Sequence, residues 1–349
     1  MKIALITDLH FGARSDSPVF DKFFEKFYTQ CFFPYLEEHG INTVVDLGDT
    51  FEKRKTINFQ TLASCKSYFF DVLAEKSIQL HALIGNHDTA LKNTNDINSV
   101  DLVLREYDNI KTYKKLEVVN FDGLDILMLP WICSDNYDQS MDALKTTKAE
   151  VVFGHLEIAG FQMYRGNVNE HGLSRDIFDR FDIVLSGHFH HRSSGGNITY
   201  LGNPYEITWA DYQDQRGFHV LDTDTRELTF IKNPYTIYEK FNYDEDILPT
   251  DLSMFEEKCI KIVVVNKVDQ KLFDKFIAAV NKLNPIDLKI IEDYSEFESD
   301  LVDDDSIDME NTMSLLSSYV DSSDITADKT KIKNVLKSLY IEATQLENI

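Results

Sequence analysis

The sequence predicts an α/β fold in which short buried strands alternate with longer amphipathic helices, and three observations predict it. Five apolar runs, "KIALI", "TVVDL", "LHALI", "EVVF" and "DIVLS", are short and β-branched enough to be fully buried strands. Helical spacing fills the stretches between them, as in Phe20, Phe23, Phe24 and Phe27 and again in Leu62, Tyr68, Phe69, Val72 and Leu73. Every run, moreover, leads into Gly, Asp, Asn or His. Alternation of this kind marks layered α/β folds, whose ligands gather where the carboxyl ends of the strands meet the loops.

Taken in order, the runs lead to Thr7-Asp8-Leu9-His10, Gly48-Asp49, Gly85-Asn86-His87-Asp88, Gly154-His155 and Gly187-His188-Phe189-His190-His191. Glycine before four of these clusters is expected where a tight turn off a strand end needs positive φ. Carboxylate, carboxamide and imidazole without thiolate suit manganese, iron or zinc, and suit magnesium less because it takes fewer nitrogens. One ion rarely needs so many ligands. Two ions about 3.5–4 Å apart with a bridging carboxylate would need them, and such pairs catalyse in-line displacement at phosphorus. Any single histidine is more often a surface or core residue, and "GNHD" alone is a fair turn. Five such clusters behind five strand-like runs are not what turn chemistry produces.

Residues 1–240 are expected to form this first domain. Behind it, "CIKIVVV" (residues 259–265), a helical stretch through Leu272, Phe273, Phe276, Ile277, Val280 and Leu283, and "DLKII" predict a small βαβ unit within residues 241–293. Residues 294–328 read as an acidic linker with a short apolar island at Met313, Leu315, Leu316, Tyr319 and Val320. Residues 329–349 read as a terminal helix striped by Ile332, Val335, Leu336, Leu339 and Leu346, whose apolar face must meet a partner or its own domain.

Composition bounds the rest. The 349 residues can build a sizeable core, nothing in them resembles a signal peptide or a membrane span, and the scattered cysteines make a reducing cytoplasm the expected compartment. Cys31, Cys65, Cys133 and Cys259 are too scattered for a disulfide framework or a thiolate zinc site. The net charge is −24, but 13 of those charges fall between Glu292 and Asp328, where there is no Lys or Arg. The remainder is still acidic, which argues against strong nucleic-acid binding by this chain alone and for a partner that supplies positive surface. Arg14, Lys53, Arg54, Lys55 and Arg192 flank the polar clusters and are the candidate DNA-contacting cations, with solvated loops the plainer reading.

The ordered set D-x-H, G-D, G-N-H-D, G-H and G-H-x-H resembles the calcineurin-like metallophosphoesterases, and it spans residues 8 to 190. That resemblance implies a four-layer αββα sandwich with a capping domain and a helical tail behind it. It implies one cation on Asp8, His10, Asp49 and His190 and another on Asp49, Asn86, His155 and His188, manganese being expected and magnesium the alternative. It gives His87 the role of stabilising the transition state or protonating the leaving oxygen, Asp88 that of orienting His87, and a hydroxide on the cations that of nucleophile. "GDTFEKR" and "GNHD" depart from the Ser/Thr phosphatase pattern. "ITDLHFGA", "GDTFEKRKTIN" and "ITYLGNPYEITWADYQDQRGFHVLD" are instead similar to the SbcD-type DNA repair and recombination nucleases, including those of T4-like phages, for which the compartment would be the host cytoplasm. Glu52 stands where some members of that branch carry a second active-site histidine. The branch implies exonuclease and endonuclease activity, an SMC-like ABC ATPase partner of the SbcC type gripped by the C-terminal helices, and a homodimer through helices near residues 60–75 and 95–107. Tyr68, Phe69, Phe70, Val100, Leu102 and Val103 are the apolar candidates for that contact. The rival readings are a small-substrate phosphodiesterase or phosphomonoesterase of the same fold, and a DNA-end-binding scaffold with little activity.

Overall fold

The computed structural model describes residues 1–292 together with Val320 and Lys329. The acidic linker and the terminal helix expected beyond them lie outside the described residues, apart from those two positions.

In chain order the strands are β1 (Lys2–Ile6), β2 (Thr43–Asp46), β3 (Gln79–Leu83), β4 (Thr89–Leu91), β5 (Thr94–Asn98), β6 (Ile110–Tyr113), β7 (Glu117–Phe121), β8 (Leu124–Leu129) and β9 (Val151–His155). They continue as β10 (Gln162–Tyr164), β11 (Asn167–Val168), β12 (Ile183–Gly187), β13 (Ser193–Gly195), β14 (Ile198–Tyr200), β15 (Gly217–Asp222), β16 (Leu228–Lys232), β17 (Tyr238–Asp244), β18 (Cys259–Asn266) and β19 (Asp287–Ile291). The five sequence runs are β1, β2, β3, β9 and β12. One six-stranded sheet has the order β16-β15-β1-β2-β3-β6 and another the order β13-β14-β12-β9-β8-β7. In the first, β1, β2, β3 and β6 are mutually parallel; in the second, β8, β9, β12 and β14 are.

The pleat explains the layering. Along β1, Ile3 and Leu5 join Val45, Leu83, Ile126, Met128, Val151, Phe153 and Leu185 in an apolar layer between the two sheets. Ala4 and Ile6 point the other way, toward Phe20, Phe24, Phe27, Phe69 and Leu73 of the helices that cover the first sheet. A third cluster, with Leu144, Val152, Phe178 and Val184, seals the outer face of the second sheet. Three apolar layers separating helix, sheet, sheet and helix make the αββα sandwich.

The first helical layer starts with Pro18–Phe27, where Pro occupies the first turn and Phe20, Phe24 and Phe27 fall on one buried stripe. It passes through a π turn at Tyr28–Phe32 into Phe33–Glu38. The next helix, Phe59–Cys65, is capped by Asn58, whose side chain accepts from Gln60 N, and it continues through a π turn at Lys66–Phe70. The helix expected over 95–107 is different. Residues Thr94–Asn98 pair with β4 as a strand, and only Ser99–Val103 is helical, begun by Asn98 accepting from Asp101 N. Local side-chain capping and hairpin pairing outweigh an ambiguous apolar pattern there. Tyr68, Phe69, Phe70 and Val100 are buried in the chain's own core, while Leu102 is exposed.

The C-terminal elements form a parallel three-stranded sheet, β17-β18-β19, with the helix Gln270–Asn281 on it. Asp269 caps that helix at Lys271 N and Leu272 N, and Phe273, Phe276 and Val280 pack with Tyr243, Phe255, Ile260 and Ile262. These β/α elements are consistent with a capping subdomain. Their first strand begins at Tyr238, whose ring packs against Trp209 and Phe20 of the sandwich. Among the described residues, no helix is long and apolar enough to cross a membrane.

Candidate metal centre

All eight candidate polar residues lie at the carboxyl ends of parallel strands, three ends from one sheet and two from the other. Asp8 and His10 follow β1, Asp49 follows β2, Asn86 and His87 follow β3, His155 ends β9, and His188 and His190 follow β12. The loops are locked together: Asp8 N donates to Gly48 O at 2.9 Å and His10 N to Asp49 O at 3.0 Å. Four of these residues have left-handed backbone, with φ of 54° at Asp8, 46° at His10, 56° at Asp49 and 88° at His188. Non-glycine residues rarely adopt that region, and its concentration here is backbone strain held by the surrounding sheets.

The glycines preceding the clusters serve another purpose than expected. Only Gly48, at φ 105°, has positive φ. At Gly85 and Gly187 a Cβ would fall 2.2 Å from Asp49 Oδ1 and 2.0 Å from Thr7 Oγ1, so close approach excludes any side chain.

Two groups of ligand-bearing side chains converge. In one, Asp8, His10 and His190 present donor atoms within 4.8 Å of one another, with His10 Nε2 3.0 Å from His190 Nε2. In the other, Asp49, His155 and His188 do the same, and Asn86 Oδ1 lies 3.0 Å from both His155 Nε2 and His188 Nδ1. Asp49 Oδ2 is 3.3 Å from His155 Nε2 and 4.0 Å from His10 Nε2, so one carboxylate faces both groups. A third group, His10, Glu52 and His87, overlaps the first.

The electrostatics call for positive charge. Burial alone would raise the Asp49 carboxyl, but the imidazoles of His155, His87 and His10 outweigh it and hold it well below the usual carboxylate range. Burial would lower His155, yet the Asp49 carboxylate lifts it to about 9. His190 is held well below its usual value by burial and by the nearby charges of His10 and Arg216, which leaves a neutral imidazole suited to ligation. His155 Nδ1 donates to Leu47 O at 2.8 Å, which turns Nε2 inward toward the Asn86 oxygen. Lone pairs aimed at one another in a buried space are what a divalent cation resolves, and this nitrogen and oxygen donor set fits manganese, iron or zinc.

Around the groups, supporting contacts set the ring orientations. Glu52 Oε2 lies 2.7 Å from His10 Nδ1, and His87 Nδ1 donates to the Glu52 carbonyl at 2.6 Å. The expectation that Asp88 orients the His87 ring needs correction. The Asp88 carboxylate is fully buried and accepts from the backbone N–H of Asp49 (2.9 Å), Gly85 (2.9 Å) and Phe51 (3.1 Å), so it ties two loops together from beneath. Its carboxyl is raised to about 6, first by burial and then by the Asp49 charge.

Arg216 is the residue that motif reading missed. Its buried guanidinium donates to the His190 carbonyl and to Asn203 Oδ1, and it pairs with Asp211 at 2.7 Å and Asp214 at 3.0 Å. His191 Nδ1 joins the same network at 2.7 Å from Asp214, which accounts for the imidazole left over in the sequence. Of the candidate cations, Lys53 pairs with Asp16 at 2.7 Å, Arg14 sits over the Phe20 ring at 5.9 Å and Arg192 over the Phe230 ring at 4.2 Å. Arg54 is half-buried and Lys55 exposed on the loop that follows Glu52.

The family model for calcineurin-like phosphoesterases matches residues 1–192. Over 353 aligned residues the chain is 32% identical to "Exonuclease subunit 1" of Enterobacteria phage T4, covering 99% of this chain and 100% of that one. A hypothetical protein of Thermus thermophilus shares 14% identity and a TM-score of 0.37, covering 67% of this chain and 100% of its own. An archaeal phosphodiesterase shares 13% identity and a TM-score of 0.33, covering 66% and 99% respectively.

Proposed function

The chain belongs to the calcineurin-like phosphoesterases, metal-dependent hydrolases of phosphate esters, and from that premise we propose that it is the nuclease subunit of a DNA-processing complex. The observation that carries the mechanism is the Asp49 carboxylate facing two imidazole groups at once. In this reading Asp8, His10, Asp49 and His190 hold one divalent cation, and Asp49, Asn86, His155 and His188 hold the other, with manganese the expected ion. When bound, such a pair supplies Lewis-acid activation of water and of the phosphoryl oxygen near neutral pH.

The chain's own residues do the rest. Asp88 fixes the backbone of the Asp49 and Gly85 loops, so both groups keep their spacing. With Nδ1 committed to the Glu52 carbonyl, the chemistry of His87 falls to Nε2, which stabilises charge on the phosphate or delivers a proton to the leaving oxygen. Lys53, Arg54 and Lys55 continue the same loop and meet the entering DNA backbone, with Arg14 and Arg192 on neighbouring elements. The likeness to a phage exonuclease subunit over the whole of both chains supports DNA as substrate and a multi-subunit assembly. The proposed partner is an SMC-like ATPase, which would add positive surface to a chain whose net charge is −24. The proposed compartment is the cytoplasm, that of the host if a phage encodes the chain. A homodimer contact through the segment around residues 97–102 would use exposed Ile97 and Leu102.

The test is cleavage of labelled single- and double-stranded DNA in Mn²⁺, beside bis-p-nitrophenyl phosphate, by wild type and His87→Asn with and without the ATPase. DNA cutting that falls about 100- to 10,000-fold in the variant while Mn²⁺ binding persists supports the reading. Turnover of the small diester with no DNA cutting under any condition moves the function to a small substrate.

A further inference from the structure

We propose that the cavity beside His155 is a nucleobase pocket, in which the base adjoining the scissile phosphate stacks on Trp131; this deepens the nuclease reading and rests on it. The cavity measures about 270 Å³ and is lined by Trp131, Ile132, Tyr137, Glu157 and Leu173, with His155 forming part of its wall. His155, a member of the second group, thus places the cavity beside the candidate centre.

The Trp131 backbone is held on both sides. Its backbone N–H donates to Ile84 O at 2.8 Å, and its carbonyl accepts from Asn95 Nδ2 at 2.8 Å and Asn136 Nδ2 at 2.9 Å. The indole centroid lies 5.2 Å from the His188 ring and 6.1 Å from the His155 ring, one ring's breadth from two proposed ligands. Tyr137, the second aromatic in the lining, is 49% exposed, so ring surface is open to an incoming molecule.

Size and chemistry then select the occupant. The volume falls just below the roughly 300–1,000 Å³ of pockets that enclose drug-sized ligands, so one planar heterocycle fits and a duplex does not. Stacking on an aromatic face accepts every base, because every base has a π face. The Glu157 carboxylate, one oxygen of which already accepts from Asn169 Nδ2 at 3.3 Å, adds a preference. It can accept from the exocyclic amino groups of cytosine, adenine or guanine, which thymine lacks. Gly172, at φ 98°, lets its loop pass against the Glu157 backbone, where a Cβ would fall 2.4 Å from the Glu157 carbonyl oxygen. A base can reach this pocket only by leaving the duplex stack, so ends and unpaired nucleotides are the favoured substrates.

The experiment uses single-stranded oligonucleotides carrying, at either nucleotide flanking the cleavage position, a normal base, a tetrahydrofuran abasic residue or 2-aminopurine. Wild type in Mn²⁺ is expected to cut the base-bearing strand about 5- to 150-fold faster in kcat/KM than the abasic one. Trp131→Phe should keep that preference, and Trp131→Ala should reduce it to under about twofold. Because the quantity read is a ratio, a general loss of metal or stability in the variant leaves it unmoved. A preference that survives in Trp131→Ala, or its absence in wild type, overturns the proposal. Stacking is read without turnover as quenching of 2-aminopurine bound to the His87→Asn protein, lost when Trp131→Ala is added. Quenching by a protein that never cuts DNA refutes the nuclease reading and keeps the pocket; cutting without quenching refutes the pocket and keeps the nuclease.

Discussion

The His10 and His190 pair and the His155 and His188 pair use the same side chains in different surroundings. The first is bounded by charge: Glu52 beside His10, and Arg216 under the His190 carbonyl with Asp211 and Asp214 behind it. The second is bounded by a backbone carbonyl, an amide and apolar rings: Leu47 O on His155, Asn86 between the imidazoles, and Trp131 against His188. The imidazoles thus meet different fields: on the first side Glu52 raises His10 against its burial while burial and cationic neighbours push His190 down, and on the second Asp49 lifts His155 to about 9. The lesson is that the two sides of a two-cation centre need not be equivalent. One side is flanked by charged side chains, and the other by the Trp131 ring.

The comparison can be broken most completely at Asp49, the carboxylate common to both sides. Asp49→Asn is expected to lower kcat more than about 1,000-fold and to weaken both binding steps in Mn²⁺ titration calorimetry. Loss of a single step would show that Asp49 serves one side alone. Arg216→Met sharpens the comparison. It leaves Asp211 and Asp214 without their buried partner, at a cost of about 3–5 kcal/mol in denaturant unfolding. It should weaken only one Mn²⁺ binding step, by about 10- to 100-fold, and equal weakening of both would erase the asymmetry. Glu52→Gln is the mildest change, since the amide oxygen can still meet His10 and the carbonyl that holds His87 is untouched. A loss of activity under about tenfold is expected, and a loss as large as that of His87→Asn would place Glu52 among the groups that touch substrate.

How much of this was legible depends on whether the signal was local. The ends of β1, β2, β3, β9 and β12 were readable because a β-branched run and its polar terminator occupy adjacent positions. β8 ends at the same site but leads into Pro130-Trp131, with no carboxylate or imidazole to flag it, so the aromatic wall went unseen. One of only two tryptophans directly behind a strand was the available hint. Arg216 lies 26 residues from the His190 carbonyl it supports, and no spacing rule joins them. Asp88 adjoins His87 in sequence, yet its carboxylate turns beneath the loops, because a neighbour along the chain need not be a neighbour in space.

The αββα class was implied by the family resemblance; the sequence by itself determined the alternation of strand and helix and the donor set for divalent cations. Those follow from periodicity and side-chain chemistry, which neighbouring residues carry. Only the tertiary structure decided that Asp49 faces both imidazole pairs, that His87 is held by a carbonyl, that Gly85 and Gly187 are there for want of room, and that one flank is charged while the other is aromatic. These depend on distances between strand ends that are far apart in the chain, and the packing of two sheets sets those distances.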